Sequence, residues 1–170
     1  PMDDFITSEV TDISPEFVID RLITLNKLLG SGKYIVVTNL MGILRYLPNT
    51  KLYKNKIIDI NKDMDIDRDD FINKLFDLGY EKKPVVSRTG EMAIRGYVID
   101  IFPIEFDNPI RIEFWGDTID SIKYFDLDDQ ISNTSVDSVK IYPYTEFLID
   151  GKIGDNIIRK QKYLLNYSDS

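Results

Sequence analysis

Between residues 15 and 29 the apolar positions Val18, Ile19, Leu22, Leu25, Leu28 and Leu29 recur at helical spacing and stop at Gly30. Side chains three and four apart share one helix face, Pro15 suits the first turn and Ser14 the cap, so an amphipathic helix is expected. The following run KYIVVTN, 33–39, is short, apolar and β-branched, which predicts a strand buried on both faces. LMGILRYL, 40–47, predicts a short helix stopped by Pro48. The first fifty residues therefore read as half of an α/β layer. KNKIIDI, 54–60, is expected as a strand. DRDDFINKLFDLGY, 67–80, is expected as a helix with Asp67 as cap, Phe71, Leu75 and Leu78 on one face, and Gly79 at its C-terminal end.

From residue 83 the period changes to two. KPVVS, EMAIRGYVIDIFP, IRIEFW and TIDSIKYFD are strand-like runs separated by Arg88-Thr89-Gly90, Asp107-Asn108-Pro109 and Gly116-Asp117. SVKIYP, 138–143, is expected to add an edge strand. The fold class is α+β: an antiparallel β-meander with a packed helix, preceded by a partial α/β segment. In PIRIEFW, Ile110, Ile112 and Phe114 point one way, and Arg111, Glu113 and Trp115 the other. In EMAIRGYVIDI, Arg95 is expected to share a face with Ala93, Tyr97 and Ile99, with Gly96 allowing a bulge or a close backbone approach. If these strands pair, Arg95, Arg111, Glu113 and Trp115 form one exposed patch. Two readings of it stay open: cross-strand Arg–Glu pairing shielded by Trp115, or a protein-binding surface, since Trp, Tyr and Arg are enriched in binding hot spots.

Composition narrows the chemistry. With 43% apolar residues the 170-residue chain can bury a core. A formal net charge of -8 argues against nucleic acid as a direct ligand. The chain has no Cys and no His, which removes disulfides, thiolate metal sites, the usual general base and the commonest zinc ligand. No apolar run approaches the roughly 20 residues of a membrane span, and a cytoplasmic protein is expected. Pro1 ahead of Met2 and the polar end NYSDS suggest a piece of a longer protein. GSGK, 30–33, has phosphate-loop composition, but its spacing fails and helix precedes strand, so a helix C-cap turn is expected. DMDIDRDD, 63–70, alternates carboxylates like a calcium loop but puts Arg68 where Gly is needed and Lys74 where Glu is needed, so it reads as helix capping. Asp100, Glu105, Glu113, Asp117 and Asp120 are the carboxylates that a metal-dependent enzyme reading would have to gather. The glycosylation patterns at Asn133 and Asn166 read as chance matches.

LGYEKKPVVSRTGEMAIRGYVIDIFP, followed by NPIRIEFWGDTIDSIKYFDLDDQIS, resembles the second domain of the bacterial transcription-repair coupling factors and, more distantly, the matching domain of the excision-repair helicase UvrB. Gly90, Glu91, Arg95, Gly96, Asp100, Ile101, Phe102, Pro103, Arg111, Glu113, Gly116 and Asp117 carry the pattern, over residues 14–150. DSIKYFDLDDQIS looks like the coupling factors rather than UvrB. The departures are Tyr97 for a common Gly, Met92 for an aromatic, Trp115 for Phe and Thr118 for Glu. The resemblance implies the tail of a degenerate α/β domain at 1–50, a domain that binds the damage sensor UvrA at 51–147 and a connector at 148–170. It makes Arg95 and Arg111 the charged anchors, with Glu113 orienting them and Trp115 as the apolar element. In the free domain both guanidiniums are then expected to be exposed near Glu113. The family's Walker motifs are missing from these residues, so neither catalysis nor a cofactor is expected here. ATP, magnesium, DNA and RNA polymerase belong to other parts of the full-length relative. The alternatives are the UvrA-binding domain of UvrB itself and an acidic metal-dependent enzyme fragment.

Overall fold

The structure, a computed structural model, describes residues 15–40, 42 and 47–148. Helix α1, Pro15–Leu29, forms as its periodicity requires, and Gly30 N–H closes its end on the Lys27 carbonyl at 3.1 Å. GSGK is therefore a helix-end turn; the expected cap Ser14 lies outside the described residues. Leu22 and Asn26 are buried, and Asn26 Oδ1 accepts a 2.7 Å hydrogen bond from the Tyr53 hydroxyl. Arg21 pairs with Glu146. These contacts tie α1 to the remainder of the chain.

Segment 33–39 is not a strand. It is irregular, and Ile35 and Val37 are 96% and 91% exposed. A strand of this composition needs neighbours on both edges and both faces, and among the described residues none lies beside it. Of the expected helix at 40–47, Leu40 and Gly42 are helical, and residues 41 and 43–46 lie outside the described residues.

Helix α2, Thr50–Lys56, starts at Asn49, whose side chain accepts from the Lys51 and Leu52 N–H groups. It takes the first half of the expected strand at 54–60, and β1, Ile58–Asn61, follows. Helix α3, Arg68–Asp77, has the expected cap: Asp67 accepts from Asp70 N–H at 2.8 Å. Phe71 and Leu75 are buried, and Gly79 leaves the helix at φ 90°, a backbone geometry that disfavours any side chain.

The main sheet has six strands: β2 (Glu81–Lys82), β3 (Glu91–Arg95), β4 (Val98–Ile101), β5 (Ile110–Trp115), β6 (Thr118–Phe125) and β7 (Ser132–Ser135), in that order. Only β2 runs parallel to its neighbour; the other pairings are antiparallel. Three expectations change. KPVVS forms no strand; the pairing falls just ahead of it at β2, and Pro84 has no N–H to give a ladder. SVKIYP does supply β8, Ser138–Ile141, but β8 pairs with β1 in a separate two-stranded sheet. The edge place belongs to β7, whose SNTS sequence has no apolar alternation to announce it.

The third change decides the site. Residues 91–101 are two strands joined at Gly96-Tyr97, with Arg95 opposite Val98. Gly96 has φ 59°, fitting a two-residue hairpin turn with Gly at its first central position. The turn resets the alternation. Ile99 goes to the core, and Asp100 joins the face that carries Arg95. The α+β class stands: α3 packs Phe71 and Leu75 with Met92, Ile99, Ile101, Ile110, Ile112, Ile119 and Ile122. Burial of each such side chain contributes roughly 1.5–3 kcal/mol. On the opposite face Val86, Ala93, Phe102 and Phe125 form a smaller cluster beside the polar patch.

Candidate protein-docking face

Pairing of β4 with β5 sets Asp100 opposite Arg111, and pairing of β5 with β6 sets Arg111 opposite Lys123. Asp100 is 1% exposed, so its charge requires partners. Arg111 supplies two: Nε donates to Oδ1 at 2.7 Å and Nη2 to Oδ2 at 3.0 Å. Arg95 Nη2 donates to the same Oδ2. Arg111 Nη1 also donates to the Gln130 carbonyl at 3.1 Å and to the Ser132 hydroxyl at 3.4 Å, and the guanidinium carbon lies 4.7 Å from the centre of the Phe125 ring. The hydrogen bonds to Asp100 raise the Arg111 pKa further, against the opposing effect of burial.

Glu113 does not orient the arginines. It sits opposite Ser121, whose hydroxyl donates to it at 2.5 Å, while Lys123 Nζ donates at 2.7 Å. Those bonds, with Lys123 first and Ser121 second, hold its carboxyl below the usual range; burial opposes them, and the charges of Lys123 and Arg111 add to them. The orienting carboxylate is Asp100, because the Gly96-Tyr97 turn brings it onto this face. Counting alternation straight through Gly96 missed it; a Gly-first pair of residues between two apolar runs was the available signal. Exposure also differs from expectation: the Arg95 side chain is 46% exposed but Arg111 only 17%.

An open depression of about 370 Å³ is lined by Arg95, Val98, Arg111, Glu113 and Gln130. Trp115, 83% exposed, and Tyr97, 63% exposed, stand at the tips of adjacent hairpins, which Phe114 N–H joins by a 2.8 Å bond to the Tyr97 carbonyl. Three of the four expected site residues thus meet at or beside one depression, with Trp115 at its end of the sheet. Asp100 and Glu113, two of the five carboxylates of the metal-enzyme reading, are committed to cations. Among the described residues, no helix is long and apolar enough to cross a membrane.

A second buried carboxylate, Glu91, holds the turn before β3. It accepts from the Ser87 N–H and hydroxyl, each at 2.8 Å, from Arg88 N–H at 3.2 Å and from Arg88 Nε at 3.1 Å. Burial pushes its pKa up, but the Ser87 and Arg88 hydrogen bonds outweigh that and leave it lowered.

An α+β unit with a cation-bearing sheet face defines a class, and comparison with known proteins gives it a family. The family model described as the UvrB interaction domain matches residues 58–147, from β1 to just beyond β8, and the chain belongs to that family. The chain is 38% identical over 149 residues to the transcription-repair-coupling factor of Bacillus subtilis, covering 88% of this chain and 13% of that protein. It is 35% identical over 153 residues to the factor of Staphylococcus aureus, covering 90% and 13%, and 32% identical over 168 residues to that of Staphylococcus epidermidis, covering 99% and 14%. The chain therefore spans about 13% to 14% of the length of these relatives.

Proposed function

We propose that this chain is a non-catalytic docking module for UvrA and that the face around Arg95, Arg111, Glu113 and Trp115 makes the contact. The observation that carries the reading is the guanidinium pair held on one buried carboxylate, on the sheet face whose end carries an exposed Trp. A guanidinium held by a protein carboxylate is pre-oriented for a second, incoming carboxylate, which a flexible Lys would not be. The module occupies residues 51–147 in this reading, with 1–50 the tail of a neighbouring α/β domain and 148–170 a connector. In a whole coupling factor it would bring UvrA to stalled RNA polymerase. Contact with polymerase and DNA, ATP and magnesium binding, and translocation would fall to the other domains, and the setting would be the cytoplasm.

Calorimetry and co-purification with the cognate UvrA test this. Association at micromolar concentration or tighter is expected, and ATP with magnesium, calcium and duplex DNA should each leave the melting temperature unchanged, since a ligand of the native state would raise it. No association with UvrA at those concentrations, or a clear shift with any of the other ligands, would overturn the reading.

A further inference from the structure

The two arginines on Asp100 are not equivalent. A guanidinium has five N–H groups. In Arg111 the one on Nε and one on Nη2 go to Asp100, while Nη1 serves Gln130 and Ser132. Its guanidinium carbon lies over the Phe125 ring. Arg111 thus clamps β4, β5 and the segment entering β7 together. Arg95 engages only Nη2, and among the described residues its Nε and Nη1 meet no acceptor. It is also the more exposed, at 46% against 17%.

We propose that Asp100 is the positioning residue of the docking face: it holds Arg111 as an internal brace and fixes Arg95 so that its free Nε and Nη1 present to a carboxylate of the partner. The inference rests on the UvrA reading for the identity of that partner. Its physical basis is preorganisation. An arginine already held at one nitrogen loses less freedom on binding than one waving in solvent. Asp100 also offsets one of the two positive charges, so that the pair can sit side by side before the partner arrives.

The test uses the whole 170-residue chain, with UvrA as the probe. Arg95→Ala should keep the wild-type urea midpoint and weaken UvrA binding roughly thirty-fold or more, as truncation of one member of a desolvated charge pair does. Asp100→Asn, which keeps the shape but removes the charge, should weaken binding roughly tenfold. In the Arg95→Ala background the same Asp100→Asn change should alter binding less than about twofold, because coupled residues do not add. An undiminished Asp100→Asn effect in that background, or wild-type affinity for a folded Asp100→Asn, overturns the proposal.

Nitrogen-15 NMR of the arginine Nε–H groups reads the same point on the unmutated chain, should Asp100→Asn fail to fold. Arg111 Nε–H should exchange slowly with and without UvrA, and Arg95 Nε–H should exchange fast until UvrA is added. Protection gained at Arg111 instead overturns the proposal. If UvrA does not bind but Arg111 Nε–H is protected, the docking reading falls and the brace stands. If UvrA binds but Arg111 Nε–H exchanges as fast as an exposed guanidinium, the brace falls and docking stands.

Discussion

Trp115 shows what one residue contributes when the core does not need it. It follows Phe114, whose ring is buried at a tilt against Phe71 with centroids 6.0 Å apart, yet its own indole is 83% exposed. Strand alternation explains the contrast, since neighbours in a strand face opposite sides. An exposed single aromatic adds little to folding, so Trp115→Ala should change unfolding stability by no more than about 0.5 kcal/mol. At a partner surface the same truncation should cost roughly 2 kcal/mol or more, read as at least a tenfold loss of UvrA affinity by calorimetry. A Trp115→Ala chain that melts early, or binds UvrA as tightly as the parent, would remove Trp115 from the docking face.

Among the elements, the turn leading into β3 and the turn between β5 and β6 both need a positive-φ glycine, but only the first is crowded. Gly90 adopts φ 89°, and a Cβ built there would lie 2.3 Å from atoms of the Tyr144 ring. Tyr144 is anchored over this turn, with its N–H on the Leu78 carbonyl at 2.7 Å and its ring 6.0 Å from that of Tyr80. Gly116, at φ 63°, faces open space. Gly116→Ala should therefore cost only the left-handed backbone penalty of about 1–2 kcal/mol. Gly90→Ala should cost clearly more, because the ring must also move, and urea denaturation of the two variants side by side measures the difference. Equal losses would mean that Tyr144 yields freely and does not lock the turn.

The whole molecule has an unusual titration profile because it contains no His. Glu91 and Glu113 have folded pKa values lowered below the ordinary value. A group of this kind stabilises the fold above its unfolded pKa, about 4.3, and that contribution is lost as pH falls through the folded value. At the alkaline end burial raises the pKa of Tyr53 and Tyr80. A raised folded pKa stabilises fully below the unfolded value, about 10, and the contribution declines as pH climbs beyond it. With no imidazole to titrate between these limits, the urea midpoint should be flat from about pH 5.5 to 9 and fall on both sides. A midpoint that changes steeply near neutrality would contradict this assignment of the titrating groups.

Local order in the sequence determined much of the fold. Helix α3 with its Asp67 cap, the break at Gly79, and the alternation that sets Arg111, Glu113 and Trp115 on one face of β5 all follow from side chains within a few positions of one another. Covalent spacing suffices for these because capping and periodicity act over one turn or one pleat. Only the tertiary structure decided which carboxylate holds the arginines. That depends on the chain reversing at Gly96-Tyr97, which sends Ile99 to the core and Asp100 to the arginines, while Glu113 is taken by Lys123 from the next strand. Pairing of β8 with β1, 77 residues apart at Asn61 and Ser138, is likewise invisible locally, as is the exposure of 33–39. A strand-like segment becomes a strand only when another edge accepts its hydrogen bonds, and that edge is supplied by distant residues or not at all.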